Sequence, residues 1–152
     1  TFCAVDENFT AYGLLDHRHT PEMEQVLSIK AEEEVSVLFT PHLAPMTRGI
    51  LATCYAQPTV EMDTTSALET LATYYEKEPF VVVDERSPST KATFGSNVVH
   101  LTARVDPRTG YLIVISAIDN LGKGASVGAI QCANLAFGFE ETQGLPTTGV
   151  TP

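Results

Sequence analysis

Residues 99–115 constrain the fold more than any other stretch. Val99, Leu101, Ala103 and Val105 alternate with His100, Thr102 and Arg104, the period-two pattern of a half-buried strand. Asp106-Pro107-Arg108-Thr109-Gly110 follows. Proline presets φ at a turn and glycine accepts a positive φ. Residues 111–115, Tyr-Leu-Ile-Val-Ile, are apolar on both faces, as a central strand would be. The two runs read as a hairpin with a link of about five residues. Any fold for this chain must be built around that antiparallel pair.

The flanking segments add helices on either side. Thr20-Pro21-Glu22 reads as a helix start, with Thr20 as N-cap, proline at the first helical position and an acid at the positive end of the dipole. Met23, Val26, Leu27 and Lys30 continue at helical spacing, and the helix should end near Glu32-Glu33-Glu34. Residues 1–19 read as an extended lead-in. Val35, Val37 and Phe39 share one face of a strand over 34–40, and 50–56 is another strand. Ser66-Ala67-Leu68-Glu69 fits a capping box, with Leu68, Leu71, Ala72 and Tyr75 on one helical face. Residues 80–83 read as a short strand and 87–93 as loop. A last helix over 124–139 carries no charge. Only Ser126, Gln131 and Asn134 are polar there, so it should be buried nearly all round. The whole reads as α+β, a mixed, mostly antiparallel sheet with helices on one face.

Composition narrows the function classes. At 152 residues, 43% hydrophobic and 18% charged, the chain has one domain's worth of sequence and an ordinary globular balance. Its net charge of −10, with no Lys/Arg cluster, repels nucleic-acid phosphates. No apolar run approaches the roughly 20 residues of a membrane span, and no basic stretch followed by an apolar one, as a secretory signal would have, is visible from Thr1-Phe2-Cys3 onward. Three scattered cysteines, Cys3, Cys54 and Cys132, suit a reducing, cytoplasmic setting and lack zinc-knuckle spacing, so no metal site is expected. Cys54 reads as a buried structural thiol, and His42 and His100 as structural.

Three places could carry chemistry. His17-Arg18-His19-Thr20-Pro21-Glu22 lies at a helix N-terminus, where outward N–H groups favour phosphate or carboxylate. Two imidazoles and a guanidinium there could move protons and hold an anion. A capped surface loop is the plain alternative. Arg48 enters a strand from a proline-bounded loop and could clamp an anion bidentately, although a surface ion pair is the commoner use. Asp119-Asn120-Leu121-Gly122-Lys123-Gly124 links the central strand to the last helix. Its glycines permit close backbone approach to a ligand. The same stretch could equally be an ordinary strand-to-helix turn. It is not a P-loop, because position 117 is Ala and no Ser or Thr follows Lys123.

Five segments of the chain carry a resemblance. They are Tyr12-Gly13 with His17-Arg18-His19-Thr20-Pro21-Glu22, then Phe39-Thr40-Pro41-His42-Leu43-Ala44-Pro45-Met46-Thr47-Arg48-Gly49-Ile50-Leu51-Ala52-Thr53, then Gly95-Ser96-Asn97. Ser116-Ala117-Ile118-Asp119-Asn120-Leu121-Gly122-Lys123-Gly124 and Phe137-Gly138-Phe139-Glu140-Glu141-Thr142-Gln143-Gly144-Leu145 complete the set. In this order, over nearly the whole chain, they resemble the N-acetyl-gamma-glutamyl-phosphate reductases. The resemblance implies a two-domain parent in arginine biosynthesis. An N-terminal Rossmann half would bind NADP, and a C-terminal half would be similar to that of glyceraldehyde-3-phosphate dehydrogenase. It implies that a cysteine of the other half attacks the acyl phosphate, phosphate leaves, and hydride from NADPH releases the semialdehyde from the thioester. His17 matches the histidine that assists that cysteine. Arg18, His19, Glu22 and Arg48 would surround the substrate, and Asn120, Lys123 and Gly124 would face the cofactor.

The family's Gly-Cys-Tyr-Pro-Thr nucleophile segment and Gly-rich NADP loop do not occur in this sequence. Cys54-Tyr55 repeats two of the letters in another context. The chain therefore reads as a C-terminal fragment, inactive alone, that forms at least a homodimer. Residues 1–123 would make the catalytic and dimerisation domain. Residues 124–152 would be a helix and tail that pack on the NADP-binding half. Two alternatives stand beside this one: the same fold acting on a carrier-bound aminoadipyl phosphate in lysine biosynthesis, and a stand-alone, non-catalytic dimerisation module.

Overall fold

The computed structural model describes residues 2–150, which divide into two compact units at the Thr47–Arg48 junction. The first unit contains α1 (Phe2–Val5), β1 (Thr10–Ala11), α2 (Thr20–Ala31) and β2 (His42–Leu43). β1 and β2 pair antiparallel, Thr10 opposite Leu43, so the lead-in is not simply extended. α2 begins at Thr20, with His19 rather than Thr20 in the capping position and no side-chain cap. It ends where expected, at Glu32, whose left-handed φ of 57° turns the chain out of the helix.

The strand expected over 34–40 does not form. The Val35 N–H donates to Ser28 Oγ at 2.9 Å and the Val37 N–H to Glu24 Oε1 at 3.0 Å. Side chains of α2 thus take up the N–H groups that a neighbouring strand would have bonded. α2 itself buries no residue, and Val26, Leu27 and Ile29 are exposed.

The second unit contains β3 (Ile50–Ala56), α3 (Thr64–Tyr74), β4 (Val81–Val83), α4 (Thr90–Thr93), β5 (Val99–Val105), β6 (Leu112–Ile118) and α5 (Val127–Phe137). Its sheet runs β3-β6-β5-β4. β6 pairs antiparallel with β3 and β5, and β4 joins β5 in parallel. The doubly apolar strand is therefore central, and the sheet is mixed and mostly antiparallel. The Asp106–Tyr111 turn closes the hairpin through a bond from the Gly110 N–H to the Asp106 carbonyl at 2.8 Å. α3 packs on β5 and β4, and the core gathers there around Ala67, Phe80, Leu101 and Ala103.

Three local expectations are corrected in this unit. α3 starts earlier than the Ser66 box implied: Asp63 caps it and Ser66 is the reciprocal partner. Residues 87–93 are not all loop, because Ser89 caps the short α4. The last helix begins at Val127, after a wide turn over Gly122–Ser126 broken at Ala125 (φ −148°, ψ −105°).

β3 is an edge strand with little cover. Ile50, Leu51 and Tyr55 are exposed. So is Cys54, contrary to the expectation of a buried thiol. α5 also shows its apolar side to solvent: Ile130, Leu135 and Phe137 are 50%, 57% and 76% exposed. The tail beyond α5 is nonetheless tied to the body of the unit, the Asn97 N–H donating to the Pro146 carbonyl and the Val150 N–H to that of Phe94. No helix among the described residues is long and apolar enough to cross a membrane.

Candidate active site

The expected site residues fall into two groups, one in each unit. In the first unit, the His17 ring is half-buried and walled by aromatic edges: Tyr12 at 5.4 Å, His19 at 4.9 Å and Phe39 at 5.1 Å between centroids. Gly13 closes the box. Its φ is +57°, and a Cβ there would stand 2.9 Å from His17 Cδ2, so a side chain would displace the imidazole. The His19 N–H donates to His17 Nδ1 at 3.2 Å. A nitrogen that accepts carries no proton, so the neutral ring bears its hydrogen on Nε2. Arg18, His19 and Glu22 are exposed around it, and Glu22 lies in the first turn of α2.

In the second unit, Arg48 stands just before β3 and faces the end of β6. Its Nε donates to Asp119 Oδ1 at 3.0 Å, and its Nη2 lies 2.6 Å from Asp119 Oδ2. The Phe94 ring lies 4.7 Å from the guanidinium carbon, a cation–π arrangement. Next in the chain, the Gly49 N–H donates to Asn120 Oδ1 at 2.6 Å. Gly49 needs its residue type twice over: φ is +116°, and a Cβ would meet Thr90 Cβ at 2.7 Å. Burial pushes the Asp119 carboxyl up, but donation from Arg48 and from the Gly95, Gly122 and Leu121 N–H groups outweighs it and holds the pKa at about 2.

Lys123 and Gly124 line an open hollow of about 400 Å³ beside α5, with Gly128, Gln131 and Leu135. The ammonium of Lys123 donates to Gln131 Oε1 at 2.6 Å and sits 5.5 Å above the Phe80 ring. Gln131 Oε1 also accepts from Asn97 Nδ2 at 2.8 Å, and Gln131 Nε2 donates to Glu141 at 2.6 Å. Asn97 Oδ1 is buried without a partner.

Phe94, Asn97, Gln131 and Glu141 were not singled out as site residues by the sequence, and Asp119 entered only as a member of the Asp119–Gly124 loop. Asp119, Asn97 and Glu141 lie inside the segments that carry the family resemblance, and a carboxylate one residue from an expected ligand was the available signal. The separation of 71 residues between Arg48 and Asp119 hid the pairing.

The second unit is thus an α+β domain: a mixed sheet centred on the β5–β6 hairpin, with Arg48 held against Asp119 at one end. The solved structure of aspartate semialdehyde dehydrogenase II from Vibrio cholerae shares the fold, with a TM-score of 0.62 at 17% identity over 79% of this chain and 36% of that one. The family model for the semialdehyde dehydrogenase dimerisation domain matches residues 1–120, and the chain belongs to that family. Among curated relatives, N-acetyl-gamma-glutamyl-phosphate reductase of Acetivibrio thermocellus is 49% identical over 97% of this chain. The enzyme of that name from Desulforudis audaxviator is 51% identical over 99%. The chain spans 43% and 44% of the lengths of these two relatives.

Proposed function

We propose that this chain is the C-terminal catalytic and dimerisation part of a cytoplasmic, NADPH-dependent N-acetyl-gamma-glutamyl-phosphate reductase, which converts N-acetyl-glutamyl 5-phosphate to the 5-semialdehyde. The observation that carries the reading is the boxed His17, in a chain about half identical to reductases of that name over nearly its whole length. His17 would assist a thiol supplied by the rest of the protein. Its Nδ1 is tied to the His19 N–H, so Nε2 is the nitrogen left to face the reacting atoms. There it can exchange a proton with the thiol and the forming aldehyde. Arg18 and His19 in the first unit and Arg48 in the second are each read as ligands for the anionic substrate, and Glu22 as an acceptor for a substrate N–H; Arg48 offers the guanidinium edge that Asp119 does not occupy.

NADP would be held mainly by the part of the protein outside this chain, and its reduced form, NADPH, would supply hydride when bound. The residues here suit a supporting role. Asn120 Oδ1 is committed to the Gly49 N–H, which leaves its amide nitrogen as a donor. Lys123 and Gly124 border the open hollow. The exposed side of α5, with Ile130, Leu135 and Phe137, is the surface on which the nucleotide-binding part would pack. The weakly covered β3–β6 half of the sheet is the surface through which two copies would pair.

The test is His17→Asn in the full-length reductase. Loss of a proton-transfer group should lower kcat by about 10²- to 10⁴-fold. Full turnover by a folded variant would remove His17 from the reaction.

A further inference from the structure

We propose that Asp119 is a positioning residue for substrate binding: a buried carboxylate that fixes the Arg48 guanidinium edge-on, so that its outer N–H groups are presented to the anionic substrate in one orientation. The inference rests on the reading of Arg48 as a substrate ligand.

The geometry supports it in three ways. First, Asp119 is fully buried, and both oxygens are saturated. Oδ1 accepts from Arg48 Nε, Leu121 N at 2.9 Å and Gly122 N at 3.0 Å, while Oδ2 accepts from Gly95 N at 2.6 Å and pairs with Arg48 Nη2 at 2.6 Å. Backbone donors from two separate loops thus lock the carboxylate, and it in turn fixes the plane of the guanidinium through a two-point fork. Second, Phe94 supports the same group from its face, so the rotation left open by the fork is restricted. Third, burial is one-sided: the Arg48 side chain is 27% exposed and that of Asp119 0%. The part-exposed guanidinium therefore keeps an edge that a ligand can reach. The strands are in any case already joined by a seven-residue ladder from Ile50–Ile118 to Ala56–Leu112 and by the Gly49–Asn120 bond. A guanidinium held in advance loses less freedom when it binds a ligand.

The experiment is a double-mutant cycle in the full-length reductase, with KM for the acyl phosphate, KM for NADPH, kcat and melting temperature measured on each variant. Arg48→Ala should raise the acyl-phosphate KM by about 100-fold, the loss of a bidentate charged contact. Asp119→Asn should raise it by about tenfold with kcat nearly unchanged, the mark of lost ground-state binding. In the Arg48→Ala background Asp119→Asn should add almost nothing, because a residue acting through another is non-additive with it. A role limited to stability would lower the melting temperature and leave KM alone, or add equally in both backgrounds. Either result overturns the proposal. If Asp119→Asn does not fold, Phe94→Leu leaves the buried carboxylate intact. It should raise the same KM by about threefold, and an unchanged KM there counts against the proposal. If Arg48→Ala leaves KM untouched, the substrate role of Arg48 falls and Asp119 falls with it. If Arg48→Ala raises KM and Asp119→Asn does not, only the positioning role is lost.

Discussion

Acid should unlock the Asp119 anchor, and the size of the effect follows from its bonds. The carboxyl is held at about 2 against an ordinary value of 3.8. A folded-state pKa below the unfolded one means that the unfolded chain binds the proton more readily. The resulting stability is fully present above 3.8 and is lost as the pH falls through about 2. Holding the carboxyl at about 2 rather than 3.8 is worth about 2 kcal/mol. Urea unfolding of the chain and of Asp119→Asn across this pH range isolates the carboxylate's contribution. Other carboxylates with lowered values, Asp63, Asp84 and Asp106, titrate in both proteins and cancel in the difference. The stability gap between wild type and variant should shrink by about 2 kcal/mol on acidification. A gap that stays constant with pH would show that the carboxylate is not held by charge-dependent bonds, and the account of the Arg48 anchor would be wrong.

Further outcomes are expected elsewhere in the molecule. Burial lowers the His100 pKa below 6.5, with Asp84 opposing and Arg86 reinforcing the shift. Its contribution to stability should therefore be complete above 6.5 and decline as the pH falls below it, and His100→Asn should flatten the denaturation profile in that window. Phe80 is 1% exposed at the centre of the core, so Phe80→Ala should cost about 3–5 kcal/mol in urea unfolding. A loss below about 1 kcal/mol would mean that the cavity collapses or that the ring is less central than its burial indicates. Light scattering should find the chain as a dimer, and a lone 16.4 kDa species at micromolar concentration would count against pairing through the sheet. The chain alone should not oxidise NADPH in the presence of acyl phosphate, and turnover by a pure sample would place the nucleophile within these residues.

What the sequence determined by itself was local. The hairpin was legible because Asp106 and Gly110 close the turn through their own backbone bonds, and because alternation around it matches the pleat of β5. β3 was legible residue for residue, and the run of glutamates did mark the end of α2. The contact of His17 with His19 was legible because the two are neighbours in the chain. The rest was decided by tertiary structure. Residues 34–40 have a strand's pattern, yet the Val35 and Val37 N–H groups are taken by Ser28 and Glu24 of α2, and periodicity cannot see a competing acceptor. Cys54 looked buried because its strand is apolar, but only the strand order puts β3 at the uncovered edge. Arg48 and Asp119 stand 71 residues apart. An isolated arginine in a sequence carries no sign of which carboxylate will meet it. Here the β3–β6 register brings position 50 opposite 118, and that pairing, not any local preference, sets the guanidinium against a buried acid.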